Sequence, residues 1–333
     1  MKILLVCNYK KGVGGISGQV EILQRKLTEE GHVADIFNTK ASVWKRLLMM
    51  PRLCCKASEY DVIHVHCCSN WGFLPAVLGV NAGMKLGKRV VLTFHGGGGD
   101  RFFDHYPRLV RHYLSRTDVN IVLSGFLANV FKIHGLPYTI IPNIIELEDQ
   151  QYRQREAVKP NFICTRAHES LYNISCILRA FQRVQRVLPE ATLTLVGDGS
   201  LHQQLMRQAK CLGLSHVTFT GIVDNKEIYH YLDRCDVMLS APMADNMPVS
   251  LLEAMNAGLL VIASRVGGVP YLIDEDKTGL LFESDNDEEL AAKMLWSVSN
   301  PNKVKEILIQ ANQKVCDYRW ENVRNKILSV YGH

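Results

Sequence analysis

Short apolar runs alternate with amphipathic stretches from the first residues of the chain onward. Residues 3–6, 33–37, 62–66, 90–94, 120–123 and 139–141 are rich in Val, Ile, Leu and Phe. Runs that stay apolar at successive positions predict strands buried on both faces. The stretches between them, such as the one carrying Val20, Leu23 and Leu27, have the spacing of helices with one buried side. Strand and helix in alternation predict a parallel sheet with crossover helices. After Pro142-Asn143 the chain turns polar through residues 146–156 and resumes at Asn161-Phe162-Ile163-Cys164. Runs at 192–196, 217–219, 237–240, 260–263 and 279–282 then repeat the pattern. The expected architecture is α/β with two doubly wound, Rossmann-like domains, residues 1–145 and 161–316, joined by a linker at 146–160. They are expected to face each other across a cleft where the C-terminal strand ends bind ligands. No regular eightfold count of strands appears, which argues against a TIM barrel.

Composition narrows the function classes. The chain has 333 residues, enough for two domains, with 47% hydrophobic and 21% charged residues, ordinary proportions for a soluble enzyme. The net charge of +5 is compatible with anionic substrates or a membrane surface. No dense Lys/Arg stripe interleaved with aromatics occurs, which disfavours nucleic acid as a partner. The ten cysteines form no Cys-x2-Cys pair and several lie in apolar runs, so they are expected to be reduced core thiols of a cytoplasmic protein. The N-terminal apolar run meets Asn8, Tyr9, Lys10 and Lys11 too soon for a signal peptide, and no run of membrane-spanning length follows.

Candidate chemistry gathers in the second half. In Asp245-Asn246-Met247-Pro248-Val249-Ser250-Leu251-Leu252-Glu253, two carboxylates flank a predicted helix start, with Pro248 in the first turn and the helix running from Val249 to Ala257, before Gly258. Asp245 is expected on the loop and Glu253 about two turns down the helix. Free N–H groups around Met247 to Ser250, at the positive end of the helix dipole, suit a diphosphate. Asp245 suits sugar hydroxyls, and Glu253 a ribose.

In the first half, Gly12-Val13-Gly14-Gly15-Ile16-Ser17 follows the first strand, where glycines let backbone N–H groups approach a phosphate. The dinucleotide fingerprint G-x-G-x-x-G fails at Ser17, which weakens a nicotinamide oxidoreductase. His95, at the end of another strand and before four glycines expected to form a mobile loop, can donate a hydrogen bond to a sugar or phosphate oxygen. His64 and His66 are expected to be structural, one facing the core and one away. No metal cluster is visible, and no cofactor is implied.

Taken in order, these segments resemble the retaining GT-B glycosyltransferases of glycosyltransferase family 4, the glycosyl transferases group 1. The resemblance rests on Gly14-Gly15, the Tyr60-to-His66 strand, His95-Gly96, Pro142-Asn143 and Arg166. It continues through Val196-Gly197-Asp198-Gly199-Ser200, Thr220-Gly221-Ile222-Val223 and Asp245 to Glu253, then Val266-Gly267-Gly268-Val269-Pro270 and Lys277-Thr278-Gly279. It implies transfer of a sugar from a nucleotide-diphosphate donor, UDP- or GDP-linked, to an acceptor hydroxyl of a carbohydrate or lipid-linked glycan, with retained configuration. It further implies that Arg166, His95 and Asp245 are catalytic. Gly14, Gly15, Gly197, Gly199, Val223, Asn246, Met247, Pro248, Val249, Ser250 and Glu253 would bind the donor. The segment 317–333 resembles the C-terminal helix that in such enzymes returns to the first domain.

Two departures stand out. The first acid is Asp245 where the family more often has Glu, and residue 171 is Leu where members often carry Lys; Lys10, Lys11 or Arg265 could stand in for that Lys. A nucleotide-sugar epimerase on the same fold and a noncatalytic nucleotide-sugar binder are the competing readings. The stretch 44–53 mixes basic and apolar residues as a membrane-surface helix would. Packing against the sheet accounts for it as well, and Pro51 is expected to cut it short. The location implied is cytoplasmic, with the inner membrane face as the alternative.

Overall fold

The structure is a computed structural model and describes residues 1–11, 15–40, 49–146 and 152–332, apart from the side chains of 225 and 226. The chain divides into two compact units, Met1–Glu146 with Tyr318–His333, and Leu147–Asp317. Each is built on a six-stranded sheet whose neighbouring strands run parallel.

The first sheet comprises β1 (Lys2–Cys7), β2 (Val33–Asn38), β3 (Val62–Cys67), β4 (Arg89–Phe94), β5 (Val119–Val122) and β6 (Thr139–Ile140), in the order β2-β1-β3-β4-β5-β6. The second comprises β7 (Asn161–Cys164), β8 (Thr192–Val196), β9 (Val217–Gly221), β10 (Val237–Ser240), β11 (Leu260–Ser264) and β12 (Leu280–Phe282), in the order β12-β11-β10-β7-β8-β9. Every strand expected from the apolar runs is present, with ends within two residues. The order reverses between β1 and β3 in one sheet and between β7 and β10 in the other, and such reversals open a ligand crevice at the strands' C-terminal ends.

Central strands β3 and β11 are buried along their whole length, whereas edge strand β6 is exposed. Helices cover the faces. In Ile174–Val187, Ile174, Ile177, Leu178, Phe181 and Val184 share the buried side. Each such side chain contributes on the order of 1.5–3 kcal/mol when fully buried. On the outer side Arg179 and Arg183 pair with Asp287, tying this helix to Asp287–Ser299.

The C-terminal helix Trp320–Val330 packs into the first unit through buried Trp320, Val323, Ile327 and Val330. The Trp320 indole N–H and the Arg324 guanidinium both donate to Glu30, and the Arg89 Nε donates to the Val330 carbonyl.

Several expectations change. Residues 152–160, read as linker, are anchored on the second unit. There the buried Arg155 donates to Asp236, at 2.7 Å, and to the carbonyls of Ala257 and Cys235. The cysteines are free, but Cys55 and Cys211 are exposed and so are not core thiols. The helix Met49–Ala57 runs past Pro51 rather than ending at it, while the rest of the 44–53 stretch lies outside the described residues. Gly99, the last of the four glycines, opens the helix Gly99–His105 instead of extending a loop.

Candidate active site

The second sheet's reversal point carries Arg166 just after β7 and the Asp245 loop just after β10. Arg166 and Asp245 form an ion pair there, with about an eighth and a fifth of their side chains exposed. Tyr172 lies under the guanidinium, 4.9 Å from the Arg166 Cζ to the ring centroid. Neither the aromatic ring nor its stacking was legible in the sequence. It arises because a 3-10 turn at Ser170–Tyr172 and Asn173 at φ 46° fold the loop back after β7. An arginine pinned by a carboxylate and an aromatic face loses little freedom on meeting a phosphate.

Asp245 is fixed in turn. Its Oδ1 accepts from the Asn246 backbone N–H at 2.8 Å, and its carbonyl accepts from the Gly268 N–H at 3.0 Å. A Cβ at Gly268 would stand 2.0 Å from the Asn246 carbonyl oxygen, so Gly is required for the two loops to approach this closely.

The following helix spans Val249–Asn256. Pro248 caps it in extended conformation, one residue outside the first turn where it was expected. Glu253 therefore stands about one turn into the helix, not two. Several buried polar atoms here have no hydrogen-bond partner among the described residues: Thr165 Oγ1, Arg166 Nε, Ser240 Oγ and Ser250 Oγ. Thr165 directly follows β7, Ser240 ends the adjacent β10, and Ser250 sits in the helix's first turn. Unpaired buried donors beside a helix N-terminus are what an anion would satisfy. Burial raises the Glu253 carboxyl to about 7, with Arg166 pulling the other way.

The turn after β8 packs on the Arg166 loop. Gly197, at φ 140°, has the Arg166 carbonyl where a Cβ would stand, at 2.5 Å, and Gly199 has the His168 carbonyl at 2.6 Å. Glu169 clamps the turn from the loop side, accepting from the Ser200 N–H at 2.8 Å. After β9, Ile222 is 85% exposed and Val223 half-buried, next to that turn. Arg265, considered as a substitute for the family's Lys, is committed to ion pairs with Glu275 and Glu283. Leu171 is exposed.

In the first unit, Gly14 lies outside the described residues. Gly15 is the N-cap of Ile16–Glu29 at φ 71°, a conformation that favours glycine. Ser17, which breaks the dinucleotide fingerprint, is buried and accepts from the Lys10 N–H at 3.1 Å. His95 follows β4, placed by its N–H on the Cys67 carbonyl at 2.8 Å. His64 and His66 do not face opposite ways, because residues two apart on a strand share a face. Their rings lie 4.2 Å apart. His66 Nδ1 stands 3.0 Å from His95 Nε2, and His64 bonds the Tyr331 hydroxyl and Thr93 Oγ1. Burial lowers His64 to about 3 and His95 to about 4, so both are neutral near pH 7.

Residues 148–315 match the family described as glycosyl transferases group 1, and residues 38–149 match glycosyltransferase family 4. Along 99% of its length the chain is 22% identical to an uncharacterized glycosyltransferase of Methanocaldococcus jannaschii, covering 98% of that protein. Over 81% of its length it is 26% identical to the N-acetyl-alpha-D-glucosaminyl L-malate synthase of Bacillus anthracis, covering 74% of it. In structure it is similar to HepE of Anabaena solved with UDP-glucose, with TM-score 0.81, 19% identity and coverage of 99% and 98% of the two chains. It is also similar to a sucrose-phosphate synthase of Thermosynechococcus elongatus, with TM-score 0.85, 17% identity and the same coverage. These likenesses establish the GT-B fold.

Proposed function

The chain belongs to the glycosyl transferases group 1, and on that premise we propose that it moves a hexose from a UDP-linked donor to a hydroxyl of a carbohydrate or lipid-linked glycan, retaining configuration. The observation that carries the donor site is the pinned Arg166 beside unpaired polar groups at the start of Val249–Asn256. Arg166 and the first-turn N–H groups take the diphosphate, whose negative charge grows as the sugar departs, so they stabilise the transition state more than the ground state. Asp245 holds Arg166 and keeps lone pairs for a sugar hydroxyl. Glu253 accepts from the ribose, and Gly197, Gly199 and Val223 border the base. His95, Gly14 and Gly15 are assigned to donor binding on the family resemblance alone. UDP is preferred over GDP because HepE was solved with UDP and UDP-glucose. No described helix is long and apolar enough to cross a membrane, and contact with a membrane surface would come from residues 44–53.

The direct test is thermal unfolding with UDP-, GDP- and ADP-sugars. A donor at a hundred times its Kd stabilises by about 2.7 kcal/mol, so the correct base should raise Tm by several degrees. No shift from any uridine donor would overturn the donor assignment.

Leu171 favours a second reading, in which donor binds without efficient turnover. Leu171 is 46% exposed, so Leu171→Lys adds a cation at no cost in burial. It is expected to raise turnover roughly tenfold, the low end for a charge-assisted contact, with sugar preference unchanged. Unchanged turnover would mean that Arg166 and the helix start suffice without it.

A further inference from the structure

The first unit's histidine cluster carries a proton assignment that bears on His95. The β3–β4 register sets His66 opposite Thr93, and His95, two residues beyond Thr93, reaches back diagonally to it. At 3.0 Å, His66 Nδ1 and His95 Nε2 share one hydrogen, so one ring donates and the other accepts. Both rings are neutral: burial depresses His66 well below the ordinary histidine range and His95 to about 4. Each therefore holds a single N–H, and the shared bond couples the two tautomers.

The far nitrogen of His66 decides between them. His66 is 4% exposed, and its Nε2 is buried with no partner among the described residues. It lines a cavity of about 30 Å³ whose walls include Leu23, Ile121, Leu123 and Ile327. The other polar side chains lining it, His64, Thr93, His95, Gln19 and Asn143, each have a partner already. His64 bonds Tyr331 and Thr93, and the Gln19 amide bonds the Ile144 backbone at both of its ends. A water placed here would find few of the two to four partners it needs. An unpaired buried N–H is rarer than an under-satisfied acceptor. The His66 proton therefore sits on Nδ1, where it donates to His95 Nε2, and this leaves the single His95 proton on Nδ1.

We propose that His66 is a positioning residue that holds His95 in its Nδ1–H form, so that His95 meets the donor as a hydrogen-bond donor and never as an acceptor. His64 supports the arrangement by packing 4.2 Å from the His66 ring while bonded to Tyr331 beyond the C-terminal helix. The benefit to transfer rests on the reading of His95 given above. The tautomer itself does not.

The test is long-range proton–nitrogen correlation on protein labelled with ¹⁵N-histidine, with His95 assigned by comparison with His95→Gln. His95 is expected to show a protonated Nδ1 and a bare Nε2. In His66→Phe the Nε2–H form should appear and kcat should fall about tenfold with little change in donor Kd. His66→Asn places an amide N–H near the position of Nδ1 and should keep both the Nδ1–H form and most of the turnover. In a His95→Gln background, His66→Phe should cost nothing further. An Nε2–H signal in the unaltered protein, an unchanged pattern in His66→Phe, or an equal loss in the His95→Gln background would overturn the proposal. If the pattern is as expected but His95→Gln transfers sugar at full rate, the tautomer assignment stands and the role given to His95 falls.

Discussion

Arg166→Ala is expected to lower kcat roughly ten- to a hundredfold while raising the donor Kd by a smaller factor. A charge-assisted contact is worth about 1.5–3 kcal/mol, and the diphosphate gains charge between bound donor and transition state. The larger share of the loss should therefore fall on the chemical step. The ion pair adds a second consequence. With the guanidinium gone, the Asp245 carboxylate faces the donor's phosphates uncompensated, and part of the loss is repulsion rather than lost attraction. Adding Asp245→Asn to Arg166→Ala should recover some donor affinity without recovering turnover. Arg166→Lys should restore little, because an ammonium lacks the planar face that rests on Tyr172 and the forked reach to two phosphate oxygens. Single-turnover rates beside calorimetric Kd values separate these terms. A donor Kd that rises as much as kcat falls would make Arg166 a ground-state anchor.

The sheets were legible for a physical reason. A parallel strand covered by helices on both faces reads as an uninterrupted apolar run, and the twelve runs named from the sequence correspond to β1 through β12. The placement of Asp245 on a loop and Glu253 on the helix after it was legible because Pro248 followed by a run of helix formers reads as a helix start. Its pitch was misjudged: Glu253 lies four residues beyond Val249, about one turn. The histidine error was of another kind, since the twofold period of a strand already put His64 and His66 on one face.

What no local pattern could reveal depends on tertiary register. His66 meets His95 only because β3 and β4 pair with Cys67 against Phe94, and Arg166 meets Tyr172 only because Asn173 adopts a left-handed conformation. Arg265 was a plausible stand-in cation until the fold placed Glu275 and Glu283 beside it. In the same way, Ser17 looked like a broken fingerprint, yet its hydroxyl has a structural use, accepting from the Lys10 N–H.

Glu253→Gln should make the protein more stable and its donor binding weaker, with both effects growing as pH rises. Burial lifts the folded-state pKa of Glu253 to about 7 from the ordinary 4.5. Between those values the unfolded chain gives up its proton first, so the folded state binds more protons. The group's favourable contribution is then complete below about 4.5 and is lost as pH climbs through 7. A displacement of this size corresponds to a penalty on the order of 3 kcal/mol at pH 8, which a neutral glutamine does not incur. Tm of Glu253→Gln should exceed that of the unaltered protein at pH 8 and converge with it near pH 4. On the ribose contact proposed for Glu253, donor binding works against this trend, because hydroxyls donating to the carboxylate favour its charged form. Affinity in the unaltered protein should therefore tighten as pH rises through 7, and binding near neutrality should release a proton, read as a buffer-dependent calorimetric enthalpy. A nucleotide-sugar diphosphate has no ionisation of its own in that range, so the slope belongs to the protein. In Glu253→Gln the donor Kd should be weaker by about tenfold at pH 8, the worth of a hydrogen bond to a charged acceptor, and flat with pH. A variant that is no more stable at pH 8 would show that the carboxylate is not held at a penalty. One that keeps the pH slope of binding would move the ribose contact to another residue.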